Sequence, residues 1–219
     1  MPGDLAATIQ YIAVAAIPLI FAITVHEAAH GWVAHRLGDN TAKAMGRLTF
    51  NPIPHIDPVG TIILPLLMML TTGFIFGWAK PVPVDLRNLS DPRRDWAIIS
   101  VAGPLSNLIM AMIWALVWKL TFLLPQSMVY VALPLALMAK IGITFNIILM
   151  VLNLLPLPPL DGSRVLGWLL PPSLAMKLDQ IEPYGVFILI GLLYFGLWDY
   201  IIGPMTAFFV SLIAHLFSL

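Results

Sequence analysis

The sequence predicts an all-α polytopic membrane protein, and three observations carry that expectation. Of its 219 residues 60% are hydrophobic and 10% charged, whereas a soluble domain spends about a quarter of its residues on charge. Long runs carry no charge at all: 5–25, 61–79, 96–118, 141–160 and 184–198, with 200–219 interrupted only by His215. Nine of the eleven basic residues fall into three short stretches between those runs. Eleven basic and eleven acidic residues give zero formal net charge, which leaves no electrostatic footprint for a phosphate backbone and excludes nucleic-acid binding. The absence of cysteine excludes a disulfide scaffold, an iron–sulfur cluster and a thiol nucleophile.

Uncharged runs near 20 residues match the length a helix needs to cross roughly 30 Å of hydrocarbon. The first run lacks the basic start and small-residue cleavage site of a signal peptide and is expected to stay in the mature chain. Arg36, Lys43 and Arg47 follow it; Lys80, Arg87, Arg93 and Arg94 precede the 96–118 run; Arg164 and Lys177 follow the 141–160 run. The positive-inside rule places these three loops in the cytoplasm and the amino terminus outside. With that orientation 61–79 starts and ends on one side, so re-entry is expected, with breaks at Pro65 and Thr71-Thr72-Gly73; if the run crosses instead, the 80–94 loop lies outside and the later helices invert. No repeat appears, and 1–219 reads as one membrane-embedded domain with a core over about 5–165 and further helices over about 184–219.

At the inner end of the first run stands His26-Glu27-Ala28-Ala29-His30. Residues i and i+4 share a helical face, so both imidazoles can hold one metal ion while Glu27 serves as general base toward water. With five His and two Glu in the chain, chance would produce this pattern roughly once in a thousand such sequences. Ionisable groups in a membrane segment cost several kcal/mol each and usually mark function. The alternative is a polar cluster snorkelling at a helix end.

A catalytic zinc takes three protein ligands and keeps one position open, and Asp161 is the best third ligand. It closes Asn153-Leu-Leu-Pro156-Leu-Pro158-Pro159-Leu-Asp161-Gly162, where the prolines bar a helix and imply an extended approach. The uncharged stretch 141–155 spans about 22 Å as helix, short of the bilayer, so Asp161 is expected below the membrane surface. Asp161 could instead cap a helix starting at Gly162. Asn153 could hold substrate or satisfy the broken helix end. Asn107, in Ala102-Gly103-Pro104-Leu-Ser-Asn107, is an active-site neighbour or a packing residue. His55, a loop histidine near the carboxylate of Asp57, could support the metal ligands as a hydrogen-bond partner or serve as a hydrogen-bonded loop anchor. His35, about 140° round the helix from His30, is not a ligand of the same ion.

Together these motifs resemble the site-2 proteases, intramembrane zinc metalloproteases. The order His26–His30, Ala102-Gly103-Pro104 with Asn107, and Asn153 through Asp161-Gly162 is the family's order over about residues 5–165. Thr49-Phe-Asn-Pro-Ile-Pro-His55-Ile-Asp57-Pro and Gly77-Trp-Ala-Lys-Pro-Val-Pro-Val84 resemble its compact prokaryotic branch, without PDZ or CBS domains. The resemblance implies a three-helix core plus a re-entrant segment and two further transmembrane helices. It implies one Zn2+ held by His26, His30 and Asp161, with Glu27 as base and Asn153 near the substrate. The expected activity is hydrolysis of peptide bonds in or near transmembrane segments, with transmembrane-helix proteins as substrates and membrane lipids around the chain. The expected location is a prokaryotic cytoplasmic membrane, with the active site toward the cytoplasm. The rival from another class is a metal-ion transporter using the same His/Asp cluster, although such proteins usually offer several relay sites.

Overall fold

The computed structural model describes residues 5–63, 67 and 77–219. Among them the chain is helical, and no strand occurs. Three long helices build the core: α1 (Leu5–Arg36), α2 (Pro92–Thr121) and α3 (Val129–Asn153) pack pairwise against one another. Shorter helices α4 (Asp161–Leu169), α5 (Pro172–Asp179) and α6 (Gly185–Tyr194) follow, and α7 (Gly203–Phe217) closes the chain. Among the described residues, four helical stretches are long and apolar enough to cross a membrane: Ile12–Arg36, Pro92–Thr121, Gln126–Asn153 and Trp198–Phe217.

The tightest packing lies between α2 and α3. Ala111 and Ala115 face Ile143, Ile147, Met150 and Val151, all buried, with Ile202 and Ile213 closing the cluster. Gly142 leaves room for the Trp114 ring, which a Cβ would meet at 2.5 Å. Small residues let helix backbones approach where lipid offers no hydrophobic drive.

Several boundaries differ from those read in the sequence. The first helix runs on to Arg36, so His26 and His30 lie about 15 and 9 Å inside its basic end. Likewise α3 begins at Val129, because Lys140 sits within it with its ammonium 4.7 Å from the Trp118 ring centroid, a cation–π contact. At 25 residues, about 37 Å, α3 is long enough to cross, and the short-helix expectation for 141–155 is corrected. The Pro-rich stretch after it is a compact turn rather than an extended strand; the Leu160 N–H donates to the Leu157 carbonyl at 2.9 Å. Of the two further transmembrane helices expected, α7 with its preceding turn is long and apolar enough to span, whereas α6 has ten residues, about 15 Å. The expected re-entrant run 61–79 lies largely outside the described residues; on its two sides, the Trp78 N–H donates to the Gly60 carbonyl and the Thr61 hydroxyl to the Trp78 carbonyl.

The far end of α1 is tied to the segment that precedes α2. Gly38, at φ +111°, reverses the chain, and the Asp39 N–H closes on the Ala34 carbonyl at 2.9 Å. Fully buried Asp39 then accepts from the Thr41 N–H and hydroxyl, the Asn88 amide and the Asp85 N–H. Burial works against its charge, but the Thr41, Asn88 and Asp85 hydrogen bonds outweigh it and hold the carboxyl below its usual range. Asp39→Ala, which orphans those donors, is expected to lower stability by about 2 kcal/mol in detergent melts. Because the folded pKa is the lower one, the charge-dependent stabilisation is complete above about pH 5. It fades as pH falls through the ordinary carboxylate range toward the folded value, so wild type and variant should converge there.

Candidate metal centre

The centre is built where α1, α2 and the start of α4 meet. The spacing of four on α1 stacks His26 and His30 on one face, ring centroids 4.7 Å apart and planes nearly perpendicular. The α3–α4 turn brings Asp161 to the same point. Its Oδ2 lies 3.3 Å from His26 Nε2 and 3.4 Å from His30 Nε2, and the two Nε2 atoms are 3.1 Å apart. Asp161 is the first residue of α4, and its side chain caps nothing: the position before the helix is Leu160.

The partners of the other ring nitrogens fix what these three atoms can do. His30 Nδ1 lies 2.7 Å from the Ile99 carbonyl, which only accepts, so Nδ1 carries the proton. His26 Nδ1 lies 2.6 Å from Asn107 Oδ1. The Asn107 amide cannot be turned round, because its Nδ2 donates to the Ala22 carbonyl and to Asn146 Oδ1. Asn146 is oriented in turn by donating from Nδ2 to the Gly142 carbonyl at 2.8 Å. In their neutral forms, with the proton on Nδ1, His26 and His30 both turn Nε2 lone pairs toward a carboxylate oxygen. Buried Asp161 Oδ2 has no hydrogen-bond donor.

Three converging lone pairs in a largely buried site repel one another unless a cation joins them. A tetrahedral zinc with ligands at about 2.0–2.1 Å separates them by about 3.3–3.4 Å, close to the three observed edges. Among the described residues, this is the one group of three His, Asp or Glu side chains able to hold a metal. Gly103 provides the space: a Cβ there would lie 2.5 Å from both His26 Cε1 and His30 Nε2. The residue types, the spacing and the free lone pairs all fit one zinc ion.

Glu27 adjoins His26 on α1, and its Oε2 accepts from the Val82 N–H at 2.9 Å. Among the remaining expected neighbours, Asn107 is fully buried and holds His26. Asn153 donates to the Leu149 carbonyl of its own helix at 3.0 Å. His55 anchors a loop, with Nε2 donating to the Thr49 carbonyl and its own carbonyl accepting from the Lys80 N–H. The sequence reading missed Asn146, whose signal was an amide in the middle of a largely apolar helix.

Over 203 residues the chain is 42% identical to YwhC of Bacillus subtilis, a protein named as a candidate zinc metalloprotease, and the match covers 92% of this chain and 90% of YwhC. The chain belongs to this family of compact site-2-protease-type zinc metalloproteases. Its members also include Rip2 of Mycolicibacterium smegmatis, 30% identical over 80% of this chain and 64% of Rip2. Rip2 of Mycobacterium tuberculosis, strain Erdman, is 28% identical over 91% of this chain and 71% of its own length. No family model and no solved structure matches the chain.

Removal of the orienting amide in Asn107→Ala is expected to weaken zinc binding by about 10- to 100-fold. Gly103→Ala, which crowds both imidazoles, should weaken it at least as much. Competition with a fluorescent chelator on the purified chain reads both.

Proposed function

We propose that this chain is an intramembrane zinc endopeptidase that hydrolyses peptide bonds in or near transmembrane segments of membrane proteins. The observation that carries the reading is the convergence of Asp161 with His26 and His30, which lie on a bilayer-length helix and flank Glu27 in sequence. Family membership supports the protease chemistry, and the apolar spans support the membrane setting. A single metal-capable cluster among the described residues suits a hydrolytic centre better than an ion relay.

In this reading His26, His30 and Asp161 hold the ion, and Asn107 and the Ile99 carbonyl keep the imidazoles in the ligating tautomer. Zinc, when bound, supplies Lewis acidity toward water and the scissile carbonyl. Glu27 accepts the proton of the attacking water and delivers it to the leaving amine, so no covalent intermediate with the chain is needed. A substrate helix keeps its carbonyls hydrogen-bonded internally and must unwind to be cut. The non-helical stretch 77–85 beside Glu27 leaves the Val82 and Pro83 carbonyls without partners among the described residues, acceptors suited to an unwound strand.

We place the active site toward the cytoplasm and the amino terminus outside. Arg36 ends α1, Arg93 and Arg94 open α2, and Arg164 lies just beyond α3, so alternating spans gather these charges on one side. Lys119 donates to the Phe217 carbonyl at 2.6 Å, which brings the carboxyl ends of α2 and α7 together on the other.

The test is incubation of the purified chain with tagged single-pass membrane proteins, with and without chelator. Chelator-sensitive cleavage is expected, and Glu27→Gln should keep zinc while losing about 10²- to 10⁴-fold in rate. A Glu27→Gln variant that cleaves at the wild-type rate would refute the assignment.

A further inference from the structure

Arg47 is a buried cation, 6% exposed, that forms no ion pair among the described residues. Its guanidinium instead holds three backbone carbonyls from two separate loops. Nη1 donates to the Pro54 carbonyl, and Nη2 donates to the Lys80 and Pro81 carbonyls at 2.8 and 3.0 Å. A buried charge is costly unless its donors are met, and a planar fork can meet several acceptors in a fixed relation where a lysine ammonium acts as a point. The two carbonyls on Nη2 belong to the residues immediately before Val82.

Val82 lies between Pro81 and Pro83, so its N–H is the one backbone donor in that tripeptide. A residue preceding proline is confined to extended backbone, which fixes the direction of this N–H. It donates to Glu27 Oε2 at 2.9 Å. The Val82 side chain is buried as well, with Cγ1 3.2 Å from where a Cβ on Gly31 would stand. Gly31 is one turn beyond Glu27, so the Pro-Val-Pro segment is seated on the helix at both points. An unbroken series of contacts thus runs from the guanidinium through two carbonyls and one N–H to a single oxygen of the Glu27 carboxylate.

We propose that Arg47 is a positioning residue for Glu27, acting through the Pro81-Val82 backbone to hold one carboxylate oxygen and leave the other for proton transfer. The catalytic part of this inference rests on the reading of Glu27 as general base. The hydrogen-bonded relay itself does not.

Two measurements on the purified full-length chain test it. The first is amide hydrogen exchange at Val82. Arg47→Gln and Glu27→Ala should each speed exchange of this N–H by roughly tenfold or more, since each removes one end of the relay. The second is kinetics on whichever tagged single-pass protein the wild type cleaves. Arg47→Gln should lower kcat by roughly 10- to 100-fold, the scale of a misplaced catalytic group, with KM within about threefold and zinc at wild-type stoichiometry. Arg47→Lys, which keeps the buried cation, should fold and recover part of kcat. Unchanged Val82 exchange in either variant overturns the proposal. So does kcat of Arg47→Gln within about twofold of wild type, or loss of zinc in both Arg47 variants. Coupled Val82 exchange in a chain that cleaves no substrate would sustain the relay and sink the protease reading, so the two failures are distinguishable.

Discussion

Two imidazole Nε2 atoms and one carboxylate oxygen face each other across little more than 3 Å inside a helix bundle. That constraint organises the rest of the molecule. It sets which tautomer each histidine adopts, and the tautomers depend on acceptors supplied by α2. It demands a glycine at position 103, because a side chain there would fill the place of the rings. It also requires α3 to end in a tight turn, since only then does Asp161 return to the level of His26 and His30. Without a cation the arrangement is repulsive, and with one it is satisfied.

The polar chain behind the histidines crosses all three core helices. His26 on α1 meets Asn107 on α2, which meets Asn146 on α3. Each amide is turned by a backbone carbonyl, Ala22 for Asn107 and Gly142 for Asn146. In a medium without water such groups need partners inside the protein, so the network that orients the ligand also keys the helices in register. Packing of small residues, Ala111 and Ala115 against α3 and Gly142 beneath Trp114, brings the helices close enough for these short side chains to reach.

The spans and the metal-binding face were legible because each rests on a local rule. Uncharged runs measure a bilayer, and a spacing of four on a helix puts two side chains together. What escaped was set by contacts between distant residues. Lys140 looked like a boundary, yet α3 runs through it because Trp118 on the neighbouring helix receives its ammonium. The stretch after Asn153 looked extended from its prolines, but it folds into a turn that sets Asp161 at the start of α4. The 184–198 run had nearly the composition of a span, and its helix stops after ten residues before Gly196 at φ +98°. Asn146 and Arg47 carried no motif. Asn146 went unread and Arg47 read only as a topology-setting charge, and only their partners reveal what each one holds.

The most direct measurement is zinc X-ray absorption on the purified chain in detergent, compared with Asp161→Ala. A first shell of two imidazole nitrogens and carboxylate oxygen, at about 2.0–2.1 Å, is expected, with the oxygen contribution reduced in the variant. A shell with fewer than two imidazoles, or a spectrum that Asp161→Ala leaves unchanged, would contradict the assignment of these three residues to one ion.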